Sequence, residues 1–209
     1  MNIHEIFYSI QGEGILAGIP TIFIRTTGCN LRCSYCDTTY AYHTGKTMSI
    51  PEIVDALQQY PCSTICLTGG EPLMQPDCYD LLHQLLDKNY KISVETNGSI
   101  SIQTLRSMKK IMISLDYKCP SSHMHTHMNL ENINLLRPHD QLKFIIQNSE
   151  DYSCAREVIE KYHPSCYVFF QPVWGTDPKI LLSWILQDGL PVRLGLQLHK
   201  ILWGDQPGV

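Results

Sequence analysis

Short β-rich runs alternate with helical stretches along this 209-residue chain, and that alternation restricts its fold more than any other feature. Thr21-Ile22-Phe23-Ile24-Arg25-Thr26 reads as a strand, as do residues 63–68, 91–96, 111–116, 142–147, 166–171 and 192–198. Between them the spacing predicts helices over 49–60, 76–88, 102–108, 151–162 and 178–187. The first helix carries its own start signal, with Ser49 as N-cap, Pro51 in the first turn and Glu52 at the capping-box position. In the second, Leu81, Leu82, Leu85 and Leu86 share one face. Strand, helix, strand in this order implies parallel strands with helical crossovers. Several strands are continuous apolar runs, the pattern of a sheet covered on both faces. A complete eight-unit barrel takes about 250 residues. The six or seven units here predict a single α/β domain over residues 1–209, built as a reduced or partial (β/α) barrel.

Composition removes several function classes. The formal net charge is -4 and no basic stripe occurs, so nucleic acid is not expected as a direct partner. No run approaches the length of a membrane span, and Met1-Asn2-Ile3-His4-Glu5 lacks the basic and apolar regions of a signal peptide. The nine cysteines are an odd number, which does not suit a secreted disulfide framework. A reducing, cytoplasmic setting fits them better. Cys62, Cys66, Cys78, Cys119, Cys154 and Cys166 read as small buried hydrophobes.

The other three lie together in Cys29-Asn30-Leu31-Arg32-Cys33-Ser34-Tyr35-Cys36. A zinc knot usually takes four ligands as two Cys-x2-Cys pairs, and no second pair exists here. Three close thiolates instead suit three irons of a [4Fe–4S] cubane, leaving one iron open, whereas closed electron-transfer clusters take four cysteines. An open iron is a place to bind a small molecule. Other polar and glycine-rich signals also follow strands: Gly69-Gly70-Glu71, Glu95-Thr96-Asn97-Gly98, Asp116-Tyr117-Lys118 and Gln171-Pro172. In parallel α/β folds these C-terminal strand ends build the active site.

Cys-x3-Cys-x2-Cys with Tyr35 before the last cysteine is the signature of radical S-adenosylmethionine enzymes, and Thr68-Gly69-Gly70-Glu71-Pro72 resembles that superfamily's Gly-Gly-Glu-Pro motif. A closer likeness covers nearly the whole chain. Phe7-Tyr8-Ser9-Ile10-Gln11-Gly12-Glu13-Gly14, the stretch 23–31, Cys36-Asp37-Thr38, Glu95-Thr96-Asn97-Gly98 and Gln197-Leu198-His199-Lys200 are similar to the 7-carboxy-7-deazaguanine synthase family. That family serves the queuosine and archaeosine pathways. The resemblance implies a radical-SAM partial barrel that contracts the ring of 6-carboxy-5,6,7,8-tetrahydropterin to 7-carboxy-7-deazaguanine and releases ammonia. It implies a [4Fe–4S] cluster, S-adenosylmethionine and Mg2+ as cofactors. A reductant such as flavodoxin or ferredoxin and a second copy in a homodimer are the implied partners.

Residue by residue, the resemblance gives Cys29, Cys33 and Cys36 as cluster ligands and Thr38 as the magnesium ligand. Tyr35, Cys36, Asp37, Gly70, Glu95, Asp116, Tyr117 and Lys118 look like S-adenosylmethionine contacts, with Gln171, Pro172, Val173 and Trp174 near the adenosyl end. Ile10, Gln11, Gly12, Arg25 and Thr68 look like substrate contacts, joined by Pro207 and Val209 from a tail that equally reads as frayed. A guanidinium fork such as Arg25 suits the pterin carboxylate, and Thr38 offers the hard oxygen that magnesium takes. Glu13 is a candidate catalytic residue that orients or deprotonates substrate, or else a structural carboxylate. Glu71 adds charge near the methionyl ammonium or fixes the turn. Alone, Arg25 would read as an ion-paired surface residue and Thr38 as a turn residue.

Two features depart from the commoner family pattern. Ser114-Leu115-Asp116-Tyr117-Lys118-Cys119-Pro120 replaces the Ser-Pro-Lys-Pro of many members, and reads as a subgroup marker. His123, His125 and His127 alternate in a polar loop, where solvent exposure explains them more simply than a metal. Two rival functions remain at this stage: a radical enzyme acting on a protein partner, and an iron–sulfur binding or redox protein. Gln11-Gly12-Glu13-Gly14 and Cys36-Asp37-Thr38 speak against the first, and Gly69-Gly70-Glu71 against the second.

Overall fold

The computed structural model describes residues 1–206 and 208–209. Its centre is one nine-stranded sheet. The strands are β1 (Asn2–Ile10), β2 (Pro20–Thr26), β3 (Lys46–Thr47), β4 (Thr64–Gly69), β5 (Lys91–Thr96), β6 (Ile111–Tyr117), β7 (Gln141–Ile146), β8 (Tyr167–Pro172) and β9 (Arg193–Leu194). In space they run β3-β1-β2-β4-β5-β6-β7-β8-β9. From β2 to β9 every neighbouring pair is parallel, while β1 is antiparallel to both β2 and β3. β3 and β9 are the free edges, so the sheet stays open, as the reduced-barrel expectation requires. The sequence pattern reveals neither β1, whose mostly half-buried residues mix polar and apolar types, nor β3, which is only two residues long.

The crossovers are α1 (Ile50–Leu57), α2 (Cys78–Asp87), α3 (Gln103–Ser107), α4 (Glu131–Leu135), α5 (Ser149–Tyr162) and α6 (Pro178–Asp188), with α7 (Leu198–Trp203) at the end. The capping box of α1 forms: Ser49 Oγ accepts from the Glu52 amide, and the Ser49 amide donates to Glu52 Oε2 at 2.7 Å. α1 stops at Leu57, short of the expected residue 60, in a tight turn ahead of Pro61, which cannot donate to a continuing helix. α5 starts at Ser149, before the expected residue 151, because Asn148 Oδ1 takes the Asp151 amide at 3.0 Å and caps the helix.

The expected last strand over 192–198 is corrected. Only Arg193 and Leu194 pair, beside Phe169 and Phe170, and the chain winds into α7 from Leu198. Val192, Leu194, Leu196 and Leu198 alternate as in a strand, but the Leu198 amide donates to the Gly12 carbonyl at 2.9 Å and carries the segment off the sheet edge.

The two sheet faces differ, which corrects the expectation of apolar cover on both. Ile22, Ile24, Ile65, Leu67, Val94, Ile113, Leu142 and Phe144 are fully buried and pack with Ile53 and Leu57 of α1 and Leu81, Leu82 and Leu85 of α2 in one core. Each such side chain contributes about 1.5–3 kcal/mol through burial. The alternate residues face the concave side, and they include Arg25, Thr68, Glu95, Asp116, Lys143 and Gln171. Strand register sets them side by side, with Arg25 beside Thr68 and Asp116 beside Lys143. The same alternation corrects the expected role of Tyr117. It lies between two inward residues, so its ring turns to the core, 5.1 Å from that of Phe144.

Candidate active site

The concave face and the C-terminal strand ends enclose a cavity of about 490 Å3. Cys29, Cys33 and Cys36 line it from the loop after β2. That loop is held from two sides. Ser34 donates its amide to the Ser122 carbonyl at 3.2 Å and its hydroxyl to the Ser121 carbonyl at 2.5 Å. Cys29 Sγ accepts N–H groups from Leu31 at 3.4 Å and from Asn97 Nδ2 at 3.6 Å. Burial pushes the Cys33 thiol up, while the nearby Lys118 ammonium opposes this.

No three His, Cys, Asp or Glu side chains among the described residues converge as they would on a single metal ion. A cubane asks for something different, since each cysteine takes its own corner iron and the sulfurs stand apart around the cluster. The three thiols open onto one cavity, so the site fits such a cluster. Beside it, Gly70 leaves a gap that a Cβ would close, by overlapping the Gly28 carbonyl oxygen and pressing on the Cys29 side chain. Tyr35 Oη and Gln171 Oε1 are buried in the cavity wall with no hydrogen-bond partner among the described residues. Polar atoms in that state suit a polar ligand such as S-adenosylmethionine.

Glu71 fixes the turn rather than facing the cavity. It is fully buried and accepts from the Asn97 amide at 2.7 Å, Thr96 Oγ1 at 2.9 Å and the Leu73 amide at 3.0 Å.

Ile10, Gln11, Gly12, Arg25, Thr68 and Val209, all expected at the substrate, line the same cavity, whereas Pro207 lies outside the described residues. Arg25 Nε donates to Glu5 Oε1 at 2.8 Å, and its guanidinium lies 5.6 Å from the Phe7 ring centre and 5.8 Å from that of Tyr40. Glu95, expected at the cofactor, is bound instead to two residues expected at the substrate: Thr68 Oγ1 donates to it at 2.8 Å and Gln11 Nε2 at 3.1 Å. Thr38 Oγ1 donates to Asp37 Oδ1 at 2.9 Å, and both residues line the cavity. The remaining residues expected at the cofactor line it too, save Tyr117. His123, His125 and His127 are exposed and line no part of it.

Glu13 is the centre of a charge cluster. It pairs with Lys143 Nζ, and Gln197 Nε2 donates to its other oxygen at 2.8 Å. Lys143 Nζ also lies 3.1 Å from Asp116 Oδ1, off the hydrogen-bonding line but close enough for strong attraction. Burial alone would push the Glu13 carboxyl up, but Lys143 above all, with His199 and the Gln197 hydrogen bond, holds the group at about 2. Burial opposes the Lys143 charge, yet Asp116 and Glu13 keep its ammonium well above the usual lysine range. A carboxylate so firmly ionised is a weak base and a good acceptor, which favours orienting a substrate N–H edge over deprotonating it.

Sequence reasoning missed Lys143, although a lone lysine inside the apolar run Leu142-Lys143-Phe144-Ile145-Ile146 was a signal of a paired or ligand-facing charge. It also assigned no roles to Asn97, Gln197 and His199, which line the cavity. Gly12 has its reason here: a Cβ would overlap the His199 ring.

Residues 23–163 match the Radical SAM superfamily. The chain is 38% identical over 209 residues to the 7-carboxy-7-deazaguanine synthase of Thermoplasma acidophilum, covering 100% of both chains. It is 43% identical over 204 residues to the protein of the same name from Methanospirillum hungatei, covering 97% of this chain and 85% of that one. Its structure resembles that of QueE from Escherichia coli with a TM-score of 0.79, over 95% of this chain and 94% of that chain. Identity there is 19%, so this likeness speaks for the fold alone.

Proposed function

The chain belongs to the 7-carboxy-7-deazaguanine synthases of the Radical SAM superfamily, and from that membership we propose that it converts 6-carboxy-5,6,7,8-tetrahydropterin to 7-carboxy-7-deazaguanine with release of ammonia. The supporting observation is that the three loop cysteines and the polar set Gln11, Arg25, Thr68 and Glu95 open onto one cavity. Cys29, Cys33 and Cys36 would hold the cluster, and Gly70, Asp116, Lys118 and Gln171–Trp174 would accommodate S-adenosylmethionine. With one electron passed to the cluster by a reductant such as flavodoxin or ferredoxin, the two groups would supply a 5′-deoxyadenosyl radical by breaking a carbon–sulfur bond of S-adenosylmethionine, with methionine as the leaving group.

The protein's own residues bind and orient. Arg25, braced by Glu5, presents the rest of its guanidinium to the substrate carboxylate. Glu13, kept ionised by Lys143, accepts from the pterin N–H edge. Phe7 and Phe23, stacked with ring centres 4.8 Å apart in the cavity wall, exclude water from one side. Thr38 would offer its hydroxyl oxygen to a magnesium ion, a hard cation that takes oxygen donors. Thr38→Ala is then expected to weaken the response to magnesium with the cluster intact, and an unchanged magnesium titration would remove that role.

A homodimer in a cytoplasmic setting completes the reading. Leu186 on α6 is 70% exposed and Ile201 and Leu202 on α7 are 58% and 54% exposed, apolar side chains that a second copy would cover. Sedimentation at micromolar concentration would show a monomer if that is wrong. No helix among the described residues is long and apolar enough to cross a membrane, and the nine cysteines are free, as suits a reducing compartment.

The deciding experiment is anaerobic: reconstitute the cluster, reduce it, add S-adenosylmethionine, magnesium and the pterin, and analyse by mass spectrometry. The deazaguanine acid together with 5′-deoxyadenosine is the expected result. 5′-Deoxyadenosine alone would discard the substrate. Neither product, from protein with a verified cluster, would discard the activity.

A further inference from the structure

Asn97 follows β5 and is buried at 7% exposure. Its partners leave one orientation for its side-chain amide. Oδ1 accepts from the Ser99 amide at 2.9 Å and from Ser99 Oγ at 2.6 Å. A backbone N–H can only donate, so the oxygen must face Ser99 and the nitrogen must face the other way. There the two Nδ2 protons find Asn30 Oδ1 at 3.0 Å and Cys29 Sγ at 3.6 Å. Asn30 Nδ2 returns to Ser99 Oγ at 2.8 Å, closing the ring. The Asn97 backbone is tied down as well, its amide donating to the buried Glu71 at 2.7 Å. Among the described residues, Cys29 receives two N–H groups at sulfur, from Leu31 and Asn97, while Cys33 and Cys36 receive none.

We infer that Asn97 is a positioning residue for the iron–sulfur cluster, whose side-chain N–H at Cys29 Sγ makes the cluster easier to reduce. This rests on the reading of Cys29 as a cluster ligand. An N–H aimed at a thiolate draws off part of its charge. Reduction adds one electron from a low-potential reductant and neither makes nor breaks a bond, so the donor stabilises the more negative, reduced state more than the oxidised one.

The test needs neither substrate nor turnover. Wild-type, Asn97→Leu, Asn97→Asp and Ser99→Ala proteins are reconstituted with iron and sulfide. Each is then titrated with dithionite at controlled potential while the electron paramagnetic resonance signal of the reduced cluster is followed. Asn97→Leu is expected to lower the reduced-to-oxidised ratio about tenfold at the wild-type midpoint, a shift of about 59 mV to more negative potential for one electron. Asn97→Asp should shift further, since a carboxylate then faces the sulfur. Midpoints equal to wild type in both variants would overturn the inference. Should both fail to hold a cluster, Ser99→Ala decides, because it releases the amide without removing it: a smaller negative shift supports the inference, and an unmoved midpoint overturns it. A wild-type chain that assembles no cluster would overturn the ligand assignment itself, a separate failure.

Discussion

Gln197 Nε2 donates to Glu13 Oε1 at 2.8 Å, joining two residues 184 positions apart. The C-terminal helix α7 thereby closes over the loop that follows β1, helped by the Leu198 amide on the Gly12 carbonyl and by His199 seated against Gly12. The cavity wall around Glu13 is thus built from both ends of the chain.

Removing this contact should damage substrate use and spare the cofactor chemistry. A hydrogen bond to a charged group is worth about 1.5–3 kcal/mol, so Gln197→Ala is expected to lower kcat/KM for the pterin by about 10- to 100-fold. Formation of 5′-deoxyadenosine in the absence of pterin should be unchanged. Equal losses in both assays would show that Gln197 serves the whole site instead.

Lys143 controls the charge on Glu13. With the Glu13 carboxyl at about 2 against an ordinary 4.5, Glu13 stays ionised through any practical assay range. The stability this gives is present above about pH 4.5 and is lost as pH falls toward about 2. Lys143→Met leaves burial opposed only by His199 and the Gln197 hydrogen bond, so the carboxyl rises. The pH profile of kcat/KM should then gain an acidic limb, with activity climbing toward neutral pH, and Lys143→Arg should largely remove it. A Lys143→Met profile that overlays the wild type would refute this control.

Gly70→Ala probes the approach of the glycine turn to the cysteine loop. The backbone there is pinned by the Gly70 amide on the Thr26 carbonyl at 3.2 Å and the Glu71 amide on the Gly28 carbonyl at 2.8 Å, so a Cβ has no soft neighbour to displace. A loss of about 1–3 kcal/mol of stability is expected. Iron and sulfide content per chain should fall with it. Full cluster content and an unshifted Tm would show that the loop yields easily.

Glu71 bears on stability with the opposite pH sign to Glu13. Burial pushes its carboxyl up to about 7 despite three donors, so folding takes up a proton. The stability linked to that proton is complete below the ordinary value of 4.5 and is lost as pH rises through about 7. Urea midpoints should therefore fall between about pH 5 and about pH 8 in the wild type, and Glu71→Gln should flatten that slope. Glu71→Ala should cost on the order of 3–5 kcal/mol, because the Asn97 and Leu73 amides and the Thr96 hydroxyl lose their acceptor.

Local sequence signals suffice for the order of strands and helices from β2 to α6 apart from β3 and α4, for the cysteine loop and for the rim on which the site stands. Those signals are local: apolar period, the capping box at Ser49, glycines at Gly69 and Gly70, and cysteine spacing lie within a few residues of each other. Which side chains meet is settled by the folded arrangement. Tyr117 faces the core while its neighbours Asp116 and Lys118 face the cavity, because successive residues of a strand point to opposite sides. Lys143 becomes the counter-ion of Glu13, Gln197 reaches that same carboxylate, and Asn97 reaches Cys29. Such contacts depend on strand register and on how far α7 folds back, quantities set by packing across the whole sheet and absent from any short window of sequence.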